Sequence, residues 1–551
     1  MRRTTLIAPA VLALAFSCAT TKPEQTAEKK AEIVTEEEFI PKKDAVAEEE
    51  QIPAPDEEFV EMEFVPETSS LKKIDMTKWL LNEEDGVFFQ TGIPYCANAA
   101  DTHHEQLAVF VPRALFDAKA NGDGTYTAKA CGNGAPFAMK IDTPSFLAMK
   151  PAQSYSREAA SIAKSGLIAV LAGARGKGTG VGAAVADFKA AIRFIRLNAD
   201  ILPPEKGFFV YGSDAGGAIA CVIGASGDSA LYSSLLDEIG AAETTDAVDG
   251  VFATEPRTAL PLSDAAFEWS AGHAREFSGG DAEEERLKSE NLARSFAEKI
   301  NSLSLAGDDG NALTLDESGG GPYADFYRKE LTRSLNEFLA AGPFPRKTGL
   351  FATHIAEIEN PQGESATEGM FAGRKPRKPK SAIPNIAEER LFREMTEKRQ
   401  RELSGIHDTP YDYIESLNAL SLSKGGGRWV EYDGAEGIAE ITDWKAFAKL
   451  FQKPLRKIGA AASDEGNFSL LSEMYDPMYF LCEKSGKAAS SWRIRGTAAR
   501  GDKPLTAEMN LAQLLKNNGL RVDFSLFWND SAADGVQGED EQAAAWISAQ
   551  E

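Results

Sequence analysis

Short apolar runs alternate with amphipathic stretches over much of the chain. Residues 166–171 form a continuous apolar run, which is typical of a strand buried on both faces of a sheet. Residues 183–198 instead place Val185, Phe188 and Ile192 at helical spacing, so one face of a predicted helix is apolar. Further strands are predicted at 86–89, 106–112, 208–211 and 248–254. The alternation predicts an α/β fold with a doubly wound, mostly parallel sheet.

The alternation stops after residue 273 and resumes near residue 467. The later segments read as a strand, a helix, a strand and a closing helix at 492–495, 505–518, 521–526 and 539–548. We therefore predict one core domain, built from 71–273 and 467–551 and interrupted by a large, mainly helical lid insertion at 274–466. Within that insertion, the basic loop 373–380 is predicted to be a solvated turn, with contact to lipid or an anionic polymer as the alternative.

The first 18 residues have the pattern of a bacterial lipoprotein signal peptide. Arg2 and Arg3 precede an apolar run over 6–16, which is too short to span a bilayer, and Cys18 follows directly. The pattern predicts cleavage before Cys18 and its lipidation, which would anchor the chain to a membrane. The expected location is the cell envelope, either periplasmic or surface-exposed. Plain secretion with cleavage near Cys18 is the alternative.

Residues 19–70 are rich in Glu, Pro, Lys and Ala and show no apolar periodicity. A segment of this composition buries too little apolar surface to offset the entropy cost of ordering. We predict a disordered acidic tether between the anchor and the core domain. A motif that docks on a protein partner and becomes ordered there is the alternative.

Composition excludes several classes of function. The chain has 59 basic and 84 acidic residues and a net charge of −25, which argues against binding to nucleic acid. None of its five cysteines lies in a CxxC pair, so a zinc site is not predicted. No other metal and no cofactor is predicted. If the protein is exported, disulfides among the last four cysteines are possible. The neighbouring His103 and His104 are assigned to a surface loop. Arg175 lies in a glycine-rich segment without the order of a phosphate-binding loop, and a structural or pocket-lining role is predicted.

The candidate chemistry lies in the turn after the predicted strand 208–211. This turn reads Gly-Ser-Asp-Ala-Gly and leads into a helix of small residues, which is the context of a nucleophile elbow. Its central residue is Asp214, where serine is usual. Backbone N–H groups at the start of such a helix stabilise an oxyanion. The residues assigned to the elbow and oxyanion region are Gly212, Ser213, Ala215, Gly216 and Gly217.

The sequence resembles the subtype-B tannase and feruloyl-esterase-like branch of the α/β-hydrolases. Six segments carry the resemblance, in the family's order: 192–200, 212–227, 264–269, 311–316, 476–480 and 492–495. The resemblance implies a serine at Asp214, an acid at Arg500 or Asp502, and a base histidine at Ala532. The chain has neither the serine, at Asp214, nor the histidine, at Ala532. The acid position falls on Arg500 or, with a shift in register, on Asp502. No intact catalytic residue is therefore predicted.

Without a serine and its base, nucleophilic catalysis is not expected. The favoured interpretation is a non-catalytic protein that binds a small aromatic or acyl ligand or serves as an envelope scaffold, with Asp214 satisfied by backbone N–H groups. The alternative is an active carboxylesterase or tannase-like hydrolase with atypical chemistry at Asp214. That chemistry would require a histidine such as His354 or His407 from the lid.

Overall fold

The computed structural model describes residues 71–176, 179, 182–259, 262–272, 277, 280, 282–340, 472–497, 505–527 and 538–550. Several predictions therefore concern residues outside the described ranges. These are the signal peptide with Cys18, the tether, the basic loop 373–380, His354, His407, Arg500, Asp502 and Ala532.

Nine strands in the described residues form one sheet, in the order β1-β2-β3-β7-β6-β8-β9-β10-β11. They are β1 (Leu80–Asn82), β2 (Val87–Pro94), β3 (Gln106–Pro112), β6 (Ala135–Lys140), β7 (Ile168–Ala172), β8 (Glu205–Ser213), β9 (Gly250–Thr254), β10 (Ser491–Thr497) and β11 (Arg521–Phe527). The pairs from β7 to β11 are parallel, and β1, β2 and β3 add an antiparallel edge. The predicted fold class is confirmed. A separate hairpin joins β4 (Phe116–Ala120) to β5 (Tyr126–Ala130).

Helices cover both faces of the sheet. Those described are α1 (Arg157–Lys164), α2 (Ala183–Leu197), α3 (Asp214–Ala225), α4 (Ser233–Glu238), α5 (Ser263–Ala271), α6 (Ala282–Ser302), α7 (Pro322–Ala340), α8 (Pro477–Glu483), α9 (Thr506–Asn517) and α10 (Glu539–Ser548). Among them, none is both long enough and apolar enough to cross a membrane.

The alternating side chains of β8 show how the two cores arise. Phe208 and Val210 point to the larger core, which includes residues of α2 and α3. Phe209 and Tyr211 point to the smaller core, where Trp546 of α10 packs edge-on against Phe209, with ring centroids 5.9 Å apart. Because both faces of the strand are buried, its sequence is a nearly continuous apolar run.

Two described helices of the predicted lid insertion pack directly on the core. α6 lies against α5, and α7 lies against β11. Ser334 Oγ on α7 donates to the carbonyl of Leu526 at 3.1 Å, and Tyr323 Oη donates to Asn510 Oδ1 at 2.6 Å. Phe296 on α6 is fully buried. The helical character predicted for this part of the insertion is therefore present, and the boundary at 274 remains a prediction.

Candidate functional site at the strand–helix elbow

The turn between β8 and α3 has a strained backbone at its central residue. Ser213 is extended, whereas Asp214 has a φ of 53°, in the left-handed region that non-glycine residues seldom occupy. The flanking glycines are required because the turn lies against the carbonyl of Ile141. A Cβ atom on Gly212 or Gly216 would lie 2.5 or 2.1 Å from that oxygen. The structure thus contains the sharp turn that presents the side chain of Asp214 at the sheet edge.

Positive φ angles also occur in the two loops beside this turn. Ser145 and Phe146 follow β6, and Glu255 and Ala259 follow β9, all with φ between 48° and 59°. β6 and β9 are the two neighbours of β8 in the sheet, so all three loops leave the same edge. Strained residues of this kind persist where the surrounding structure enforces them, and they concentrate at ligand and active sites. The carboxyl ends of β6, β8 and β9 therefore form the candidate site.

Asp214 forms an ion pair with Arg257, which lies in the loop after β9. Arg257 Nε donates a hydrogen bond to Asp214 Oδ1, and the backbone N–H of Arg257 donates to the carbonyl of Asp214 at 3.2 Å. The two side chains differ in exposure, at 3% for Arg257 and 37% for Asp214. The guanidinium therefore supports the carboxylate from inside the protein, while part of the carboxylate faces out.

The sequence pattern predicted that backbone N–H groups satisfy Asp214, and it assigned no role to Arg257. A usable signal was present, because Arg257 comes three residues after a predicted buried strand. In a parallel sheet, residues that follow neighbouring strands meet at the carboxyl edge, where ligands bind. The pairing requires the order of the strands in the sheet, which the sequence pattern did not provide.

Two buried threonine hydroxyls next to the elbow have no hydrogen-bond partner within the described ranges. Thr143, in the loop after β6, is 1% exposed, and Thr258, adjacent to Arg257 in sequence, is 5% exposed. The backbone nitrogen of Thr143 lies 3.6 Å from the position that a Cβ on Gly216 would take. A buried hydroxyl without a partner costs about 1–3 kcal/mol. Both groups are therefore available to a ligand or a bound water.

Ser213 faces the other side of the elbow. Its Oγ donates to Glu539 Oε2 of α10 at 3.2 Å. Burial raises the pKa of Glu539, against the opposing effect of the nearby Lys140. Lys140 in turn pairs with Asp540 at 3.0 Å. These contacts fix the start of α10 against the ends of β6 and β8.

Arg175, for which a structural or pocket-lining role was predicted, is buried in the interior. Its Nη2 lies 2.7 Å from Asp187 Oδ1, and its backbone N–H donates to Asp187 Oδ2 at 2.7 Å. A second carboxylate, that of Glu105, lies 3.7 Å from Arg175 Nε. Burial raises the pKa of both Glu105 and Asp187. The guanidinium joins this segment to α2, which is a structural role.

His103 and His104 lie in a turn before β3, where His104 Nδ1 is 2.7 Å from Asp101 Oδ2. Among the described residues, no group of three or more His, Cys, Asp or Glu side chains could hold a metal ion. Cys96, Cys131, Cys221 and Cys482 are all free thiols, so none of the disulfides that the sequence left open is formed. Cys96 and Cys221 are buried in the core.

A cavity of about 1130 Å³ lies away from the elbow, between α5, α6 and the loop at 315–319. Its walls include Glu268 and Trp269 of α5. The Trp269 indole donates to the carbonyl of Gly319 at 3.0 Å, which fixes the ring. None of the elbow residues lines this cavity. We place the candidate site at the elbow, because strained backbone, a charged pair and buried polar groups coincide there.

Solved structures of tannases have the same fold. The chain is similar to native tannin acyl hydrolase from Lactobacillus plantarum, with 23% identity and a TM-score of 0.56 over 87% of this chain and 98% of that one. It is also similar to Fusobacterium nucleatum tannase, with 22% identity and a TM-score of 0.54 over 84% and 94%. A tannin acyl hydrolase in complex with ethyl gallate gives 23% and 0.52, over 84% and 94%. No protein-family model and no curated protein matches the chain.

Proposed function

We propose that this chain is an exported, lipid-anchored protein of the α/β-hydrolase fold that binds a small aromatic or acyl ligand at its elbow without converting it. The observation that carries the proposal is the ion pair between Asp214 and the buried Arg257. Asp214 stands at the turn where a hydrolase of this fold presents its nucleophile. A carboxylate held by a guanidinium is a weakened nucleophile, because the positive charge stabilises the form that would have to react.

Catalysis through Asp214 would also need a base. An ester formed on a carboxylate must be hydrolysed by an activated water, and histidine is the usual activator. The chain has five histidines. Of the two in the described ranges, His104 bonds Asp101 in the turn before β3 and does not contact Asp214. Neither histidine of the described ranges is placed to serve Asp214 as a base, and this supports binding over turnover.

Strained backbone and unpartnered hydroxyls at the elbow favour ligand binding over a purely scaffolding role. The positive φ angles at Asp214, Ser145 and Glu255 cost free energy, and backbone strain of this kind is typical of ligand sites. The unpartnered hydroxyls of Thr143 and Thr258 add to that cost. Structures of the same fold have been solved with ethyl gallate and with 3,4-dihydroxybenzoate, which supports aromatic esters and acids as the first compounds to test.

The deciding experiment is hydrolysis of short aryl esters and methyl gallate by the purified full-length protein, beside Asp214→Ala and Ser213→Ala. We expect no turnover above the uncatalysed rate in any of the three. Turnover that disappears in Asp214→Ala but persists in Ser213→Ala would establish the alternative, an active hydrolase that uses Asp214. Turnover equal in all three proteins would indicate a contaminating esterase or chemistry elsewhere in the chain.

The envelope location is tested separately from the elbow. We expect the full-length protein to incorporate labelled fatty acid and to fractionate with membranes, and Cys18→Ala to do neither. Release of both proteins in soluble form would replace lipidation with plain secretion. Deletion of residues 22–70 should leave ligand binding at the elbow unchanged. Loss of a protein partner on that deletion would instead support the docking alternative for the tether.

A further inference from the structure

Two sources of positive potential meet at the elbow. Asp214 is the first residue of α3, whose amino end carries the partial positive charge of the helix dipole. Arg257 contributes a full positive charge from the loop after β9, and its side chain is almost completely buried. An elbow of this kind, with a neutral nucleophile, would attract an anion.

In this chain the carboxylate of Asp214 already occupies the position that an anion would take. It is covalently fixed at the helix start and bonded to Arg257. With 37% of its side chain exposed, Asp214 is accessible from outside the protein. An entering anion would meet this negative charge at short range, in surroundings where water screens it less than in bulk solvent.

The hydroxyl groups at the site are neutral, and a second acid, Glu255 in the loop after β9, is 8% exposed. Thr143 Oγ1 and Thr258 Oγ1 are buried and have no partner in the described part of the chain. A hydroxyl can donate or accept, so it suits an amide, ester or alcohol group as well as a carboxylate. The hydroxyls therefore do not offset the negative charge of Asp214.

We propose that Asp214 acts as a charge filter, so that the elbow binds uncharged aromatic or acyl compounds and rejects the corresponding carboxylates. This inference rests on the proposed ligand-binding function and specifies the class of ligand. Asp214 is then a specificity-determining residue. Its pairing with Arg257 keeps the negative charge at the mouth of the site.

Benzamide and benzoate test the filter, because they have nearly the same shape and differ in charge. We expect the full-length protein to bind benzamide at least about tenfold more tightly than benzoate, measured by calorimetry or ligand-observed NMR. Asp214→Asn removes the charge and keeps the shape, and asparagine tolerates the left-handed φ. In this variant we expect benzoate affinity to rise about tenfold or more and benzamide affinity to change by less than about threefold.

Two further variants locate the effect. Asp200→Asn makes the same change in an exposed carboxylate that pairs with Lys73, and it should keep the preference for benzamide. The double variant Asp214→Asn with Arg257→Gln should lose the gain in benzoate affinity, since the cation that would receive the carboxylate is gone. Persistence of the gain in that double variant would overturn the role given to Arg257.

Failure of the filter is distinguishable from failure of the proposed function. Equal binding of benzamide and benzoate by the unmodified protein, unchanged in Asp214→Asn, overturns the filter and leaves ligand binding intact. Binding of neither compound by any of the proteins, with unchanged thermal unfolding, counts against both. Ester hydrolysis that depends on Asp214 would overturn the non-catalytic function, whichever compound binds more tightly.

Discussion

Two arginine–aspartate pairs in this protein have the same chemistry and different surroundings. The pair of Arg175 and Asp187 lies inside the protein, with side-chain exposures of 7% and 0%. In the pair of Arg257 and Asp214, the arginine is equally buried, but the aspartate is 37% exposed and sits on strained backbone. The first pair holds two segments together, whereas the second presents a carboxylate at the sheet edge. The two pairs therefore differ in the exposure of the acid and not in the type of contact.

The largest expected loss of stability comes from breaking the inner pair, which is the pair of Arg175 and Asp187. Arg175→Ala leaves Asp187 and Glu105 buried without the guanidinium that lies between them. Loss of one partner of a buried pair costs about 3–5 kcal/mol. Urea unfolding should show this loss. Lys73→Ala, which breaks the exposed pair with Asp200, should change the stability by no more than experimental error, and an equally small change in Arg175→Ala would contradict the comparison.

A change in the elbow backbone should have the next largest effect. Gly216→Ala places a Cβ 2.1 Å from the carbonyl oxygen of Ile141, so the backbone at Ile141 or at the start of α3 must move. Overpacking of this kind costs about 1–3 kcal/mol. We expect a lower free energy of unfolding and weaker ligand binding at the elbow. Gly280→Ala is the control, since no atom lies within 4 Å of the added Cβ. An unchanged stability in Gly216→Ala would mean that the turn is less tightly held than the structure indicates.

Breaking the outer pair, which is the pair of Arg257 and Asp214, should lower the free energy of unfolding by less than breaking the inner pair. In Arg257→Ala the carboxylate of Asp214 can be hydrated, because more than a third of its side chain is exposed. We expect a loss of about 1–2 kcal/mol, between the values for exposed and buried pairs. The same urea experiment measures it. A loss as large as that of Arg175→Ala would show that both pairs are structural.

The pH dependence of stability extends the comparison to a third aspartate, Asp476. Its Oδ1 accepts the N–H of Met478 at 2.9 Å and so caps α8, and burial raises its pKa to about 6. In the unfolded chain an aspartate titrates near pH 3.9, so between about pH 4 and 6 the folded state holds more protons. The contribution of Asp476 to stability is therefore complete below about pH 4 and lost as the pH rises through about 6.

Asp476→Asn should accordingly flatten the decline of stability with rising pH over that interval, as followed by urea midpoints. Asp200→Asn is the control. A hydrogen bond from Lys73 lowers the pKa of Asp200, which has the opposite sign, and because this pair is exposed the slope should stay that of the unmodified protein. A slope in Asp476→Asn identical to that of the unmodified protein would assign the pH dependence to other buried acids, such as Glu539.

Most strands of the main sheet were predicted, whereas β1, the β4–β5 hairpin and the central strand β6 were not. The central strand β6 (Ala135–Lys140) was missed, because its alanines, Pro136 and the preceding glycines resemble a turn. It is a strand because it pairs on both sides, with Phe137 opposite Ile168 of β7 and Phe208 of β8. Tertiary pairing here overrides weak local propensity. The loop that leaves β6 carries Thr143, so a part of the candidate site was missed with the strand.

The strand–helix alternation, the sharp turn at Asp214 and the burial of both faces of β8 follow from the local sequence. These features depend on residues close together in the chain, through hydrophobic period and the steric need for glycine. Which charged side chains meet depends instead on the order of the strands and on helix packing. Arg257 reaches Asp214 across 43 positions of sequence because β9 lies beside β8 in the sheet. Burial of Arg175 likewise depends on the packing of α2 around it, since exposure is a property of the assembled layers and not of any single segment.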